Sequence, residues 1–512
     1  MEQFDAIVIG AGHNGLTAAA VLAGKGKKVL VLERSTSLGG MMATGMLNGV
    51  QLPRLAHLLY NLNPAVVRDL GLKLDAKPMP TVALSEDGRH VVMKGAEARF
   101  ADGTAHPDAA AFATLYQRLV RFGTLLGQLA QAAPPDLSGS LSLAQAGELG
   151  ALARLGLRLR LMGKAEMREF LRIVLSNAQD LILDELADGP LAGALAADAV
   201  RGAWAGPSAP GTVFSLIYRL AQGGGAALPA GGMVAVISAF AKAAEVRGAT
   251  IRTGAAVQRI VIEGDRVTGV ELADGTRVSA ATVLSTAGAA QSMMLAGHES
   301  YDIEAVRRLR NFRTKGTAAK VNLVLSGAPE FNGLSREQAS GRLLIAPSVR
   351  AVERAFNPVK YGEITQMPII EAVVPTLTAP DASGKHVVSA VVQYVPYAPD
   401  GGWTGTARQI VIDQVVGALD RFAPGLAGMV TASELLTPGD IESETGAPGG
   451  HWHHGEMSFD QLMSVRPANG LAHYGFGPAG LYLAGAAAHP GGDVTGAPGR
   501  NAALKALKEM AA

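Results

Sequence analysis

The sequence predicts an α/β protein built around a parallel sheet, and three observations carry that prediction. The chain opens with DAIVIGAGHNGLTAAAVLAGKGKKVLVLERSTSLGG, a strand, glycine turn, helix and second strand from Asp5 to Gly40. It closes with GLYLAGAAAHPGGDVTGAPGRNAALKAL, an apolar run, a glycine-rich turn and a final helix from Gly480 to Leu507. Between these ends, strand-like and helix-like runs follow one another without a fixed period, so a solenoid is not expected. At 512 residues the chain is long enough for two or three structural units.

Taken in order, Ala6 to Ile9 reads as a buried parallel strand, followed by Gly10, Gly12 and Gly15 in the G-x-G-x-x-G pattern. Gly10 permits the tight strand-to-helix turn, Gly12 lets the backbone approach a pyrophosphate, and Gly15 lets the helix pack close to the sheet. The start of the helix-like stretch, continuing through Leu16 to Ala23, presents unpaired N–H groups and a partial positive charge to phosphates. A second apolar run, Val29 to Leu32, ends on Glu33, placed to accept hydrogen bonds from a ribose diol. A carboxylate there repels a 2′-phosphate, which argues against an NADP-type ligand. These parts in register predict a dinucleotide-binding, Rossmann-like unit.

A loop is expected from Gly39 to Pro53, and from there to about Tyr218 the chain reads as mostly helical, interrupted by the Ala/Ser/Pro-rich passage Ala130 to Ser140. Within it, Gly150 to Leu175 is basic and leucine-rich, with Arg154, Arg158, Arg160, Lys164, Arg168 and Arg172 suited to one charged helix face. That face suits a membrane-surface or lid helix, or equally a solvated helix of a subdomain. Gly231 and Gly232 then open an apolar helix. Three strand-like pieces follow (Ala249 to Arg252, Ala256 to Glu263, Arg266 to Leu272), the later ones separated by the turn pairs Gly264-Asp265 and Asp274-Gly275. Val278 to Gly288 reads as one strand entering a glycine turn. Lys320 to Leu325 and His386 to Tyr394 read as strands, Ala407 to Phe422 as a helix, Leu481 to Ala484 as a buried strand, and Ala497 to Lys508 as the last helix.

Composition narrows the function. Apolar residues make up 48% and charged residues 17%, a globular, enzyme-like balance. A formal charge of +1 supplies no field for nucleic acid. With no cysteine, a disulfide framework, a thiolate nucleophile, a redox-active cysteine pair and a Cys-rich metal site are all excluded. The first strand begins by about Phe4 and no apolar run has membrane-spanning length, so a cytoplasmic location is expected, with peripheral membrane contact left open.

Three groups of passages resemble the glutathione-reductase-like FAD enzymes of the amine-oxidase and phytoene-desaturase group. They are IGAGHNGLTAAAVLA with VLERSTSLGG, PAGGMVAVISAFAKAA with GAAVQRIVIEGDRVTGVEL, and HGEMSFDQLMSVRPANG with GLYLAGAAAHPGGDVTGAPGRNAA. Within that group the chain is most similar to the phytoene-dehydrogenase-related branch labelled by a pyridine nucleotide-disulphide oxidoreductase domain. The resemblance implies a Rossmann-like FAD-binding domain of the glutathione-reductase/amine-oxidase type, discontinuous over 1–75, 225–290 and 470–512. An interleaved α+β substrate or lid domain would occupy 76–224 and 291–469, with a helical subdomain around 110–220. It also implies that Gly10, Gly12 and Gly15 cradle the pyrophosphate, that Glu33 holds the adenosine ribose, and that Arg34, Gly39 and Gly40 lie near the adenosine and the approach to the flavin. Met41 and Met42 would follow beside the isoalloxazine, Val257 would meet the adenine through its backbone, and Gly485 with Gly492, Asp493 and Val494 would line the pyrophosphate, ribityl chain and pyrimidine edge. Asp493 departs from the small residue of many relatives, so its contact is open.

For chemistry, hydride abstraction from carbon calls for a substrate C–H held over the flavin and often a base. Arg54, His57 and Tyr60 follow the glycine pair, and His57 and Tyr60 are the candidate catalytic residues. The run His451 to Glu456 offers three histidines and a carboxylate, yet no metal is expected there, and His489 suits a structural hydrogen bond. The expected activity is an FAD-dependent oxidoreductase that dehydrogenates a small, largely apolar organic substrate, with oxygen, a quinone or another carrier as acceptor. Only one dinucleotide fingerprint is present, so NAD(P)H has no dedicated domain. An amine oxidase, a carotenoid-isomerase-like enzyme using reduced FAD, and a scaffolding flavoprotein stay open, as do the substrate's identity and the oligomeric state.

Overall fold

The computed structural model describes residues 2–134, 153, 156–157, 160–379 and 381–511. Its centre is a five-stranded parallel sheet ordered Thr250–Arg252, Val29–Leu32, Ala6–Ile9, Val283–Ser285 and Leu481–Leu483. The two middle strands carry nothing but apolar side chains, as a sheet covered on both faces requires. The first helix, His13–Ala23, is buried over most of its length, which explains its run of small residues. Gly499 of the last helix, Ala497–Met510, touches it so closely that a Cβ would stand 1.9 Å from the Asn14 carbonyl oxygen.

A four-stranded sheet flanks this layer, in the order Glu2–Gln3, Arg277–Ser279, Arg266–Leu272 and Val257–Glu263. Here the expectation of one strand over Val278 to Gly288 is corrected. The run is two short strands, Arg277–Ser279 and Val283–Ser285, which belong to different sheets. The run is small-residued and largely apolar throughout, so its pattern does not mark the bend at the exposed Ala281 where the partner changes.

The second large unit is an eight-stranded sheet, in the order Val430–Leu436, Ala318–Leu325, His386–Gln393, Ile369–Val373, Arg342–Ile345, Thr81–Ala83, Val91–Lys94 and Glu97–Phe100. Its last three strands correct the reading of 53–218 as mostly helical. They are only three or four residues long and give no periodic signal before the chain turns. The expected loop from Gly39 to Pro53 likewise contains a short hairpin, Thr44–Leu47 with Val50–Pro53. Helices Ala109–Leu129, Lys164–Val174, Ala178–Leu183, Pro190–Ala199 and Thr212–Arg219 occupy the rest of this region.

Arg154, Arg158 and residues 135–140 lie outside the described residues, whereas Arg160, Lys164, Arg168 and Arg172 are exposed. Among the described residues no helix is long and apolar enough to cross a membrane.

Candidate active site

The strand-to-helix turn opens a cavity of roughly 620 Å³ that runs from the glycine loop to the face of the eight-stranded sheet. The three fingerprint glycines differ in what demands them. Gly10 has φ +97°, and a Cβ there would stand 2.3 Å from Thr286 Oγ1. A Cβ on Gly15 would stand 2.0 Å from the Gly10 carbonyl oxygen, so this glycine sets the helix against the strand. Gly12 is different: its φ of −77° suits any residue, and no protein atom comes within 3.8 Å of where its Cβ would be. The protein's own packing does not require a glycine at position 12, which lines the open cavity.

The same end of the cavity fits an FAD pyrophosphate and ribose on further grounds. Gly12 caps the first helix without a side-chain cap bond, which leaves first-turn amides for an anion. His13 Nε2 and Asn14 Oδ1 are buried without a hydrogen-bond partner. Glu33 is oriented by its own backbone contacts, accepting from Ala11 N–H at 2.8 Å and Ser35 N–H at 2.9 Å. Gly39 reaches Gly12 through an isolated parallel bridge, bringing the second glycine pair onto the loop.

Of the residues anticipated from the sequence, Gly10, Gly12, Glu33, Arg34, Gly39, Gly40, Met41, His57, Tyr60, Val257, Asp493 and Val494 all line this cavity. Gly15 lies behind the loop in helix packing. Gly485 and Gly492 form the second layer: their Cβ atoms would stand 2.3 Å from the Thr286 carbonyl oxygen and 2.1 Å from His453 Nδ1. Asp493 has φ +65°, a left-handed conformation that favours glycine and tolerates Asp. Its Oδ2 accepts from Asn61 Nδ2 at 2.9 Å.

The far end is charged, and the sequence reading missed most of it. His57 lies fully buried between Lys320 and Glu371: Lys320 Nζ is 2.8 Å from Nδ1 and Glu371 Oε1 is 3.0 Å from Nε2. Sheet register explains the arrangement. Lys320 and Glu371 both pair across from Val391, so three adjacent strands present them on one face. Two strand spacings separate them, about 10 Å, and the imidazole fills the gap. Burial holds His57 down to about 4, reinforced by the Lys320 charge. The imidazole is therefore neutral. Because Glu371 can only accept, the proton belongs on Nε2, and Nδ1 accepts from Lys320. Burial also pushes Lys320 well below the ordinary lysine value, against the pull of Glu371.

Glu371 is the hub. Burial alone would raise it, but Arg201 and Arg342 outweigh that and keep it ionised. Arg342 Nε donates at 2.7 Å, Tyr60 OH at 3.0 Å and Arg201 Nη2 at 2.9 Å. Tyr60, anticipated as a catalytic group, is thus tied into the charge network, with Arg219 stacked 3.9 Å from its ring centre and Arg201 at 4.8 Å.

The histidine run is divided. His454 lines the main cavity, while His451 and His453 border a smaller chamber; among the described residues no group of His, Asp and Glu could hold a metal. His489 Nε2 lies 3.1 Å from the Leu129 carbonyl oxygen, a structural contact.

Comparison with known proteins agrees with this architecture. Residues 15–346 match the family described as flavin containing amine oxidoreductase. Pyridine nucleotide-disulfide oxidoreductase domain-containing protein 2 of Mus musculus is 32% identical over 99% of this chain and 94% of its own length. The lycopene-forming phytoene desaturase of Paracoccus sp. is 26% identical over 57% of each chain. Wild-type putrescine oxidase bound to putrescine shares the fold, with a TM-score of 0.60 at 14% identity over 100% of this chain and 99% of its own. The chain belongs to the flavin-containing amine oxidoreductase family. It is an FAD-dependent oxidoreductase, as the resemblance of its two ends implied.

Proposed function

We propose that this enzyme dehydrogenates an organic substrate with a largely apolar body, using Lys320 as the base and His57 with Glu371 as its positioning pair. The observation that carries the reading is the Glu371–His57–Lys320 chain of contacts, buried at the end of a cavity whose other end is the glycine loop. Gly10, Gly12, Glu33, Arg34, Gly39, Gly40, Met41, Val257, Asp493 and Val494 would hold FAD, with Gly15, Gly485 and Gly492 shaping the backbone behind them. FAD, when bound, supplies the hydride acceptor. Burial lowers Lys320 and so favours its neutral amine, whose lone pair can take a proton from the substrate. His57 Nδ1 accepts a hydrogen bond from the Lys320 nitrogen while Nε2–H donates to Glu371, so the pair fixes the position of the amine and the abstracted proton stays on Lys320. Leu55, Leu58 and Val391 supply apolar wall for the substrate body.

The five-stranded sheet draws its strands from 6–9, 29–32, 250–252, 283–285 and 481–483, which supports assigning 1–75, 225–290 and 470–512 to the cofactor domain. The remainder, 76–224 and 291–469, is then the substrate domain. One observation weighs against an amine as substrate. The two aromatic side chains in the cavity wall, Tyr60 and Trp452, hold between them the Arg201 guanidinium, 4.8 and 4.9 Å from the ring centres. That cation occupies an aromatic site and repels a second positive charge.

Oxygen, a quinone or another carrier would reoxidise the enzyme. The deciding experiment mixes purified holoenzyme anaerobically with apolar alcohols, amines and polyenes and follows loss of flavin colour. Bleaching by compounds without a positive charge and not by amines is expected; bleaching by amines alone overturns the substrate assignment.

A further inference from the structure

Beside the main cavity lies a chamber of about 30 Å³ whose wall includes Arg201, Arg219, Asp198, Asp493, His451 and His453. Arg201 and Asp493 line both spaces, so the chamber adjoins the end where the Glu371 network sits. An enzyme for a purely apolar substrate has no use for such a wall, because each buried polar group must find a partner or cost stability.

The donors of this wall are only partly used. Arg201 donates Nε and Nη2 to the same carboxylate, Glu371, at 3.3 and 2.9 Å, and Nη1 has no protein acceptor among the described residues. Arg219 holds Asp198 through Nε at 3.0 Å, and its two Nη groups have no such acceptor either. His451 Nδ1 accepts the His453 N–H at 3.2 Å, so its proton belongs on Nε2, a donor left without a partner. Of the wall's acceptors, Asp198 receives both Nη nitrogens of Arg342 and forms an ion pair with Arg219, Asp493 Oδ2 receives Asn61, and His453 Nδ1 is left without a partner. Unspent N–H groups therefore outnumber unspent acceptors, and they belong to the fork-shaped donors that match a carboxylate. Arg342 makes the contrast. Its three nitrogens are all committed to Glu371 and Asp198 and its side chain is 3% exposed, against 17% for Arg201.

We propose that Arg201 and Arg219 form a head-group site for a carboxylate, so that the substrate is an organic acid whose apolar body lies in the main cavity. This rests on the redox reading above for the word substrate, but not for binding. The chamber has room for one water-sized group, enough for a carboxylate edge entering past Arg201.

The test measures binding of decanoate and of decan-1-ol to the purified holoenzyme by the change in flavin absorbance and, independently, by the rise in unfolding temperature. Decanoate is expected to bind about 10- to 100-fold more tightly, as hydrogen bonds to a charged group provide. Arg201→Met should abolish that preference, and Arg201→Lys should restore part of it. Arg219→Met, which leaves the Glu371 contacts intact, should lower the preference for decanoate even if Arg201→Met fails to fold. Equal affinity for acid and alcohol in the unmodified enzyme overturns the proposal, as does an undiminished preference in Arg219→Met together with Arg201→Lys. Because these are binding readouts, they test the site separately from turnover: the dehydrogenase reading falls only if no compound of the anaerobic screen bleaches the flavin, whatever decanoate binding shows.

Discussion

Replacing Gly12 by alanine separates what the fold needs from what the ligand needs. The substitution adds one methyl group at a position whose backbone, φ −77° and ψ 175°, any residue adopts. The nearest protein atom, the Gly39 carbonyl oxygen, would be 3.8 Å away, an ordinary van der Waals contact. Alanine at a helix cap costs a few tenths to about 1 kcal/mol, and the reduced freedom of the unfolded chain returns about 0.4–1 kcal/mol. The apoprotein should therefore keep its stability to within about 1 kcal/mol. Gly15→Ala is the opposite case, because its methyl would meet the Gly10 carbonyl oxygen at 2.0 Å. That overlap cannot relax without moving the helix, and about 3 kcal/mol of stability should go with it. For FAD the order reverses. If the pyrophosphate lies against Gly12 as proposed, a methyl there should weaken binding by about 100-fold, the upper end of an overpacking penalty. The assay is denaturant unfolding of each apoprotein, paired with FAD titration followed by visible absorbance. Tight, unaltered FAD binding by Gly12→Ala would refute the argument, and so would an apoprotein as unstable as Gly15→Ala.

The remaining predictions concern the charged end. Lys320→Met should slow flavin reduction by about 10²- to 10⁴-fold with FAD still bound, and rapid-mixing kinetics that match the unmodified enzyme would remove Lys320 as base. His57→Ala should also slow reduction while retaining FAD, and should change the pH at which reduction becomes fast, a shift that loss of packing alone would not produce. Glu371→Gln leaves Arg201 and Arg342 without their shared buried anion, and about 3–5 kcal/mol of stability should be lost in denaturant unfolding; a smaller loss than about 1 kcal/mol would mean the network is not a unit. Acid should destabilise the enzyme in a defined window. Burial holds His13, His57, His454 and His489 each at about 4, below their ordinary 6.5. Between those values the unfolded chain takes up protons that the folded chain refuses, so this stability is complete above about 6.5 and is lost as pH falls to about 4. The full effect is roughly 3 kcal/mol per histidine, and an unfolding midpoint that does not move between about pH 7.5 and about pH 5 would contradict it.

The cofactor end was legible in the sequence because its chemistry is local. Gly10, Gly12 and Gly15 act within six residues of one another, and Glu33 lies one strand further on; turn, helix start and acid are written in order along the chain. His57 and Tyr60 could be placed near the cavity for the same reason, by their distance from the Gly39-Gly40 pair. Lys320 and Glu371 left only a faint signal, single charges in the apolar strands AAKVNLVL and IIEAV. Such a charge reads as a side chain reaching for solvent, unless the strand is known to be central. Both strands are interior in an eight-stranded sheet, which forces the charges into the protein.

By itself, then, the sequence determined the α/β class, the dinucleotide cradle and the absence of cysteine chemistry, since these depend on residue type and short-range spacing. Only the tertiary structure decided what stands at the far end. Cross-strand register at Val391 sets Lys320 and Glu371 on one face, His57 joins them from the irregular chain after the Thr44–Pro53 hairpin, and Arg201 arrives from the helical region. Those four residues come from four separate stretches of chain, and their charges are tolerable only in one another's company, because burial makes each of them costly alone.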